Sequence, residues 1–167
     1  MLDSMHNKNL GRQGENLARN YYEKQGWELI TQNKTEKGSE LDLVMGRGCD
    51  SLKNKIYLDS ERNTYQNDNP QDSISQETRE QLPQYMKKEI LFVEVKTLEI
   101  LDNPTLTAED NFTKTKQRNF RRGIELYLVK NKINTDSISI RIDLACVYHH
   151  KNNDKWTIKV HNNIILD

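Results

Sequence analysis

The chain has 167 residues, and its 25 Lys and Arg balance 25 Asp and Glu to a formal net charge of zero. That length suits one domain, or one domain carrying a tail or an insertion. Neutrality removes any global electrostatic argument for nucleic acid or an anionic membrane and leaves open only a local basic surface.

Hydrophobic residues make up 34% of the chain, below the roughly 45–50% apolar content of ordinary globular domains, so part of it is expected outside the core. Two cysteines, Cys49 and Cys146, lie in very different contexts; they suggest no disulfide framework and fit a reducing cytosol. No apolar run approaches the roughly 20 residues that span a bilayer, and Met1 to His6 lacks the basic and apolar regions of a signal peptide. The expectation is a soluble, cytoplasmic protein without a membrane partner.

In chain order, Leu10 to Gln25 reads as a helix: Leu10, Leu17, Ala18, Tyr21 and Tyr22 form an apolar stripe, with Gly14 as a close-packing position and Gly26 as the stop. Glu15 flanks that stripe. Trp27 to Gln32 reads as an edge or first strand, and Asn33 to Gly38 as a polar turn. Ser39 to Met45 is the next strand, with Glu40, Asp42 and Val44 on one face and Leu41, Leu43 and Met45 on the other.

From Gly46 to about Lys88 the chain turns polar. A short strand fits Lys55 to Asp59, and Ser60 to Met86 reads as a mobile or disordered insertion, being longer than loops in compact domains usually are. Leu91-Phe92-Val93-Glu94-Val95-Lys96-Thr97 then reads as a buried strand with no Gly or Pro. Asp102-Asn103-Pro104 makes a turn. Thr113 is a candidate cap for a helix to about Asn131, with Phe120, Ile124, Tyr127 and Leu128 on its apolar side. Ser137 to Tyr148 is a strand, His149 to Asp154 a hairpin loop and Trp156 to Val160 the last strand. The order α-β-β-β-α-β-β implies an α/β sheet with helices packed on it.

Charge inside two apolar strands is the oddity. Alternation projects Glu94 and Lys96 from one face of their strand, and burying either one unpaired is expensive. Either they form a salt bridge, or they line a site. If the Asp42 strand is a neighbour, two carboxylates converge beside an ammonium, and their repulsion is relieved by a cation. A hard ion such as Mg2+ is satisfied by a few carboxylates, a backbone carbonyl and waters.

The motifs resemble the PD-(D/E)XK nuclease superfamily, the restriction-endonuclease-like fold, and within it the small bacterial YraN family. The resemblance rests on Gly11-Arg12-Gln13-Gly14-Glu15, on Gly38-Ser39-Glu40-Leu41-Asp42-Leu43 and on Phe92-Val93-Glu94-Val95-Lys96-Thr97. The basic helix from Lys114 to Leu128 and the later strand Ile140-Arg141-Ile142-Asp143-Leu144 are also similar. Three departures stand out: Ser39 is an extra residue, Leu98 replaces a usual Arg, and the insertion lengthens the gap between Asp42 and Glu94.

The resemblance implies Asp42 and Glu94 as ligands of Mg2+ (or Mn2+), with the Val95 carbonyl beside them and Lys96 as the catalytic lysine. It further implies Glu15 as a completing helix glutamate and Gln117 as a polar residue near the site. Lys114, Lys116, Arg118, Arg121 and Arg122 are then phosphate contacts. The implied activity is phosphodiester hydrolysis in DNA or a structured nucleic acid, and a likeness to junction resolvases suggests a homodimer. A non-catalytic nucleic-acid-binding or protein-interaction module that keeps the fold is the alternative. Asp143 is expected to make a structural hydrogen bond or to pair with a helix Arg. His149 and His150 indicate no zinc site.

Overall fold

The computed structural model describes residues 2–48, 88–101 and 107–166. The expected strand at 55–59, the insertion at 60–86 and the turn at 102–104 lie outside them, as does Cys49. The described residues form α1 (Leu2–Glu23), β1 (Glu28–Glu36), β2 (Ser39–Arg47), β3 (Glu89–Ile100), α2 (Lys114–Lys130), β4 (Ser139–His150) and β5 (Lys155–His161). A 3-10 turn, Glu109–Asn111, precedes α2. This is a mixed five-stranded sheet flanked by two helices, an α/β fold, with strand order β1-β2-β3-β4-β5. β3 and β4 pair in parallel across the α2 crossover, and every other pairing is antiparallel.

The strand period decides which helix each side chain meets. On β3, Leu91, Val93 and Val95 pack with Ala18 and Tyr22 of α1 and with Leu43, Met45, Ala145 and Val147. Ile90 and Phe92 turn to the opposite face, against Phe120, Ile124 and Tyr127 of α2. Those three α2 residues recur at three- and four-residue spacing, which puts them on one stripe. Thr113 caps the helix as expected, its side chain accepting from the Lys116 amide. The Phe92 and Tyr127 rings meet edge to face at 5.6 Å, a favoured aromatic geometry.

Several boundaries differ from expectation. α1 begins well before Leu10; residues 5–9 are exposed, so no buried apolar stripe marks them. β1 runs on through Glu36 where a polar turn was expected, because an edge strand pairs by its backbone whatever its side chains. Only Lys37 and Gly38 remain in the turn, both at positive φ (44° and 82°), as a tight two-residue hairpin requires. Leu41 joins the α2 face with Val44, whereas the alternation placed it with Leu43 and Met45. The last hairpin narrows to Lys151–Asp154.

Asp143 is fully buried in β4 and accepts from Tyr22 Oη (2.9 Å), from Arg141 Nε and Nη2 (2.9 and 2.7 Å) and from the Asn163 amide (2.9 Å). Its guanidinium partner is on its own strand, not on a helix. Four donors on one carboxylate tie α1 and the C-terminal segment to β4.

Gly14 sets how closely α1 approaches β3. A Cβ there would lie 1.9 Å from Thr97 Oγ1, far inside contact distance, so either the helix or Thr97 would have to move. Gly14→Ala is expected to destabilise the fold by about 1–3 kcal/mol, the usual cost of overpacking, despite the better helix propensity of Ala. Urea unfolding of Gly14→Ala, Thr97→Ala and the double variant checks this. Thr97→Ala should recover part of the loss, a coupling that non-contacting sites would not show.

Candidate functional site

The site begins where a β-ladder ends. β2 and β3 pair from Arg47 and Glu89 to Leu43 and Val93, and their register stops there. One step beyond, the Val95 amide donates to Asp42 Oδ2 at 2.7 Å. A carboxylate has taken the place of a backbone partner, and the bond points Asp42 at β3.

Glu94 is 8% exposed and accepts from the Lys96 ammonium in a close ion pair. Lys96 Nζ also donates to the Val95 carbonyl at 3.2 Å. Asp42, Glu94, Val95 and Lys96 are therefore brought together, as the two-residue spacing and neighbouring strands implied. The ammonium sits against two of the oxygens assigned to the ion. The salt bridge that the spacing allowed is formed, between two of the residues assigned to the site.

Burial comes first in the protonation behaviour, with neighbouring charges second. Burial, and then the nearby Glu94 carboxylate, push Asp42 up from its ordinary 3.8 to about 7, against the opposing pull of the Val95 amide and Lys96. Burial also raises Glu94, while Lys96 and then Lys116 oppose the shift. The outer residues report their own positions through these effects. Glu15 is close enough to add to the rise at Asp42; its Oε2 is held by Gln32 Nε2 (3.2 Å) and Asn33 Nδ2 (2.8 Å) of β1. The Lys116 charge on α2 opposes the rise at Glu94, and Glu40 of β2 adds to it.

The donors are hard oxygens, two of them carboxylates that burden each other in a partly dry setting. The chemistry of this set fits Mg2+ or Mn2+, which Asp42, Glu94 and the Val95 carbonyl could hold.

Gln117 is turned elsewhere. Its Nε2 donates to the Phe112 carbonyl at 3.0 Å, and its side chain lines a cavity next to Glu109 and His161. Lys114, Lys116, Arg118, Arg121 and Arg122 are all exposed on α2, with Arg121 paired to Glu125 at 3.2 Å.

Sequence reasoning missed a second polar cluster on the far side of Lys96. Glu109 Oε1 accepts from Lys159 Nζ (2.7 Å) and lies 2.9 Å from His161 Nε2, and Tyr148 Oη donates to Oε2 at 2.5 Å. The buried Cys146 completes it. The signal was faint: Lys159 and His161 share a face of β5, but only the strand register brings Cys146 opposite Lys159.

Asp42 links pH to stability. Its carboxyl binds a proton more tightly folded than unfolded, so without metal it costs stability as pH rises from about 4 to about 7. Asp42→Asn keeps an oxygen for the Val95 amide and removes the charge. At pH 8 it should raise metal-free stability by roughly 1–3 kcal/mol, and near pH 4 the gain should vanish. Denaturant unfolding at the two pH values checks the sign.

Among the described residues, no helix is long and apolar enough to cross a membrane. No curated protein matches the chain. The profile of Uncharacterised protein family UPF0102, the YraN family, matches residues 14–147, which include Glu15, Asp42, Glu94 and Lys96. The chain belongs to that family.

Proposed function

We propose that the protein is a metal-dependent nuclease of the restriction-endonuclease-like type, hydrolysing phosphodiester bonds in DNA or a structured nucleic acid. The observation that carries the reading is the convergence of Asp42 and Glu94 at the end of the β2–β3 ladder, with Lys96 between Glu94 and the Val95 carbonyl. An Asp42 carboxyl pushed to about 7 by burial and then by the Glu94 charge is a poor structural device and suits a cation site.

A bound Mg2+ or Mn2+ would lower the pKa of its water and neutralise charge on the phosphate. Asp42 and Glu94 would hold the ion, and the Val95 amide fixes the orientation of Asp42. Lys96, released from Glu94 when the ion takes that carboxylate, would donate to the attacking water or to a phosphate oxygen as negative charge develops. Glu15, pinned by Gln32 and Asn33, adds negative potential on the Asp42 side. Lys116 is the α2 cation placed to meet a phosphate next to the carboxylates; Lys114, Arg118, Arg121 and Arg122 extend that contact along the backbone. Two copies of the chain would present two such sites to a branched substrate.

A non-catalytic module that keeps the fold is the second reading, favoured by the closed Lys96–Glu94 ion pair, which satisfies both charges unaided. Cleavage of a panel of linear duplex, single strand, flap and four-way junction separates the two. The nuclease reading expects cleavage that needs Mg2+ or Mn2+, is abolished in Glu94→Ala and falls about 100-fold or more in Lys96→Ala. Binding without cleavage, unchanged in Glu94→Ala, would leave the module.

A further inference from the structure

The cluster beyond Lys96 has a different chemistry from the carboxylate site. Glu109, Cys146 and His161 each present one ligand atom, and the three atoms lie within 4.8 Å of one another. They come from three separate segments: the 3-10 turn before α2, the middle of β4 and the last residue of β5. Cys146 is fully buried, while the Glu109 and His161 side chains are 23% and 36% exposed. A cavity of about 220 Å³ adjoins them, lined also by Phe112, Gln117, Leu144, Ile164 and Ile165.

We propose that Glu109, Cys146 and His161 form a second cation site, for a borderline-soft divalent ion of the zinc type, with its fourth position open to this cavity. Thiolate, imidazole and carboxylate together select such an ion, whereas Mg2+ takes oxygen donors and declines sulfur. Zinc bonds of about 2.0–2.3 Å place tetrahedral ligand atoms roughly 3.3–3.8 Å apart; Glu109 Oε1 and His161 Nε2, 2.9 Å apart, would open slightly, and all three atoms already lie within 4.8 Å of one another. Glu109, on one short turn, and His161, at a strand end, have room for that movement.

Positive charge is already drawn to this place. Partial burial works against the Glu109 carboxylate, yet hydrogen bonds from Lys159, Tyr148 and His161 outweigh it and hold the carboxyl well below the usual range. The Lys159 side chain is 63% exposed, so the ammonium swings into water when the ion takes Oε1. Tyr148 keeps its hydrogen bond to Oε2 and orients the carboxylate, as outer partners of metal ligands do. Burial and the Glu109 charge push the Cys146 thiol up to about 12. Binding therefore breaks the S–H bond, forms the S–metal bond and releases one proton to solvent. The bound ion cross-links the approach to α2 with β4 and β5.

Cobalt(II) titration of the full chain tests the proposal, because a cobalt–thiolate bond has its own charge-transfer absorption. A saturable band is expected in the wild type, displaced by Zn2+ and unaffected by millimolar Mg2+. It should persist in Asp42→Asn, which separates it from the carboxylate site, and in Cys49→Ser, which excludes the other thiol. His161→Ala, at a partly exposed position, should fold normally and bind cobalt at least about 10-fold more weakly; Cys146→Ser should lose the band. No band in the wild type would overturn the site, as would a band that survives Cys146→Ser or is unchanged in strength and affinity in His161→Ala.

Discussion

The hydrogen bond from the Val95 amide to Asp42 marks the place where two central strands stop pairing, and the functional geometry hangs on that parting. Had β2 and β3 continued their ladder past Leu43 and Val93, Val95 would have met a backbone carbonyl, and the Asp42 carboxylate would not have been drawn to the Val95 amide. Instead, a carboxylate completes the hydrogen bonding of the buried backbone, as an unpaired amide there demands. The same bond fixes Asp42 near Glu94. Packing on both faces holds β3 in position: Leu91, Val93 and Val95 against α1, Ile90 and Phe92 against α2.

Electrostatics then gives this geometry its meaning. Burial works against both carboxylates, the Glu94 charge adds to it at Asp42, and Lys96 offsets only part of the rise, since Asp42 remains near 7. The second cluster is balanced differently. Three donors oversatisfy Glu109, and the charge around it is already neutralised. Lys96 and Cys146 are direct partners in the β3–β4 register, so the two clusters form one polar band across the sheet, hard donors at one end and softer donors at the other.

Much of the frame was legible in the sequence. Strict alternation through 91–97 put Glu94 and Lys96 on one face, and the three-to-four spacing of Phe120, Ile124 and Tyr127 gave the α2 stripe. Thr113 marked its cap, and Gly14 announced a close approach that proved to be to Thr97. Features set by register or by side-chain rotation were not legible. Leu41 breaks the alternation of β2 beside Asp42, and no local pattern signals that. The Asn33–Glu36 stretch looks like a turn by composition, yet it pairs as an edge strand through backbone groups that composition does not report. Gln117 sits on the expected helix, but its amide goes to the Phe112 carbonyl. Glu109, Cys146 and His161 are far apart in the chain and meet only after β4 and β5 align.

Calorimetric titration of the metal-free protein with Mn2+ tests most directly the claim that the parted strands make a hard-cation site. Saturable binding is predicted in the wild type, competed by Mg2+ and lost in both Asp42→Asn and Glu94→Gln, while Cys146→Ser leaves it intact. Binding that survives both carboxylate substitutions, or no binding at all, would contradict the account and leave Lys96 as the permanent partner of Glu94.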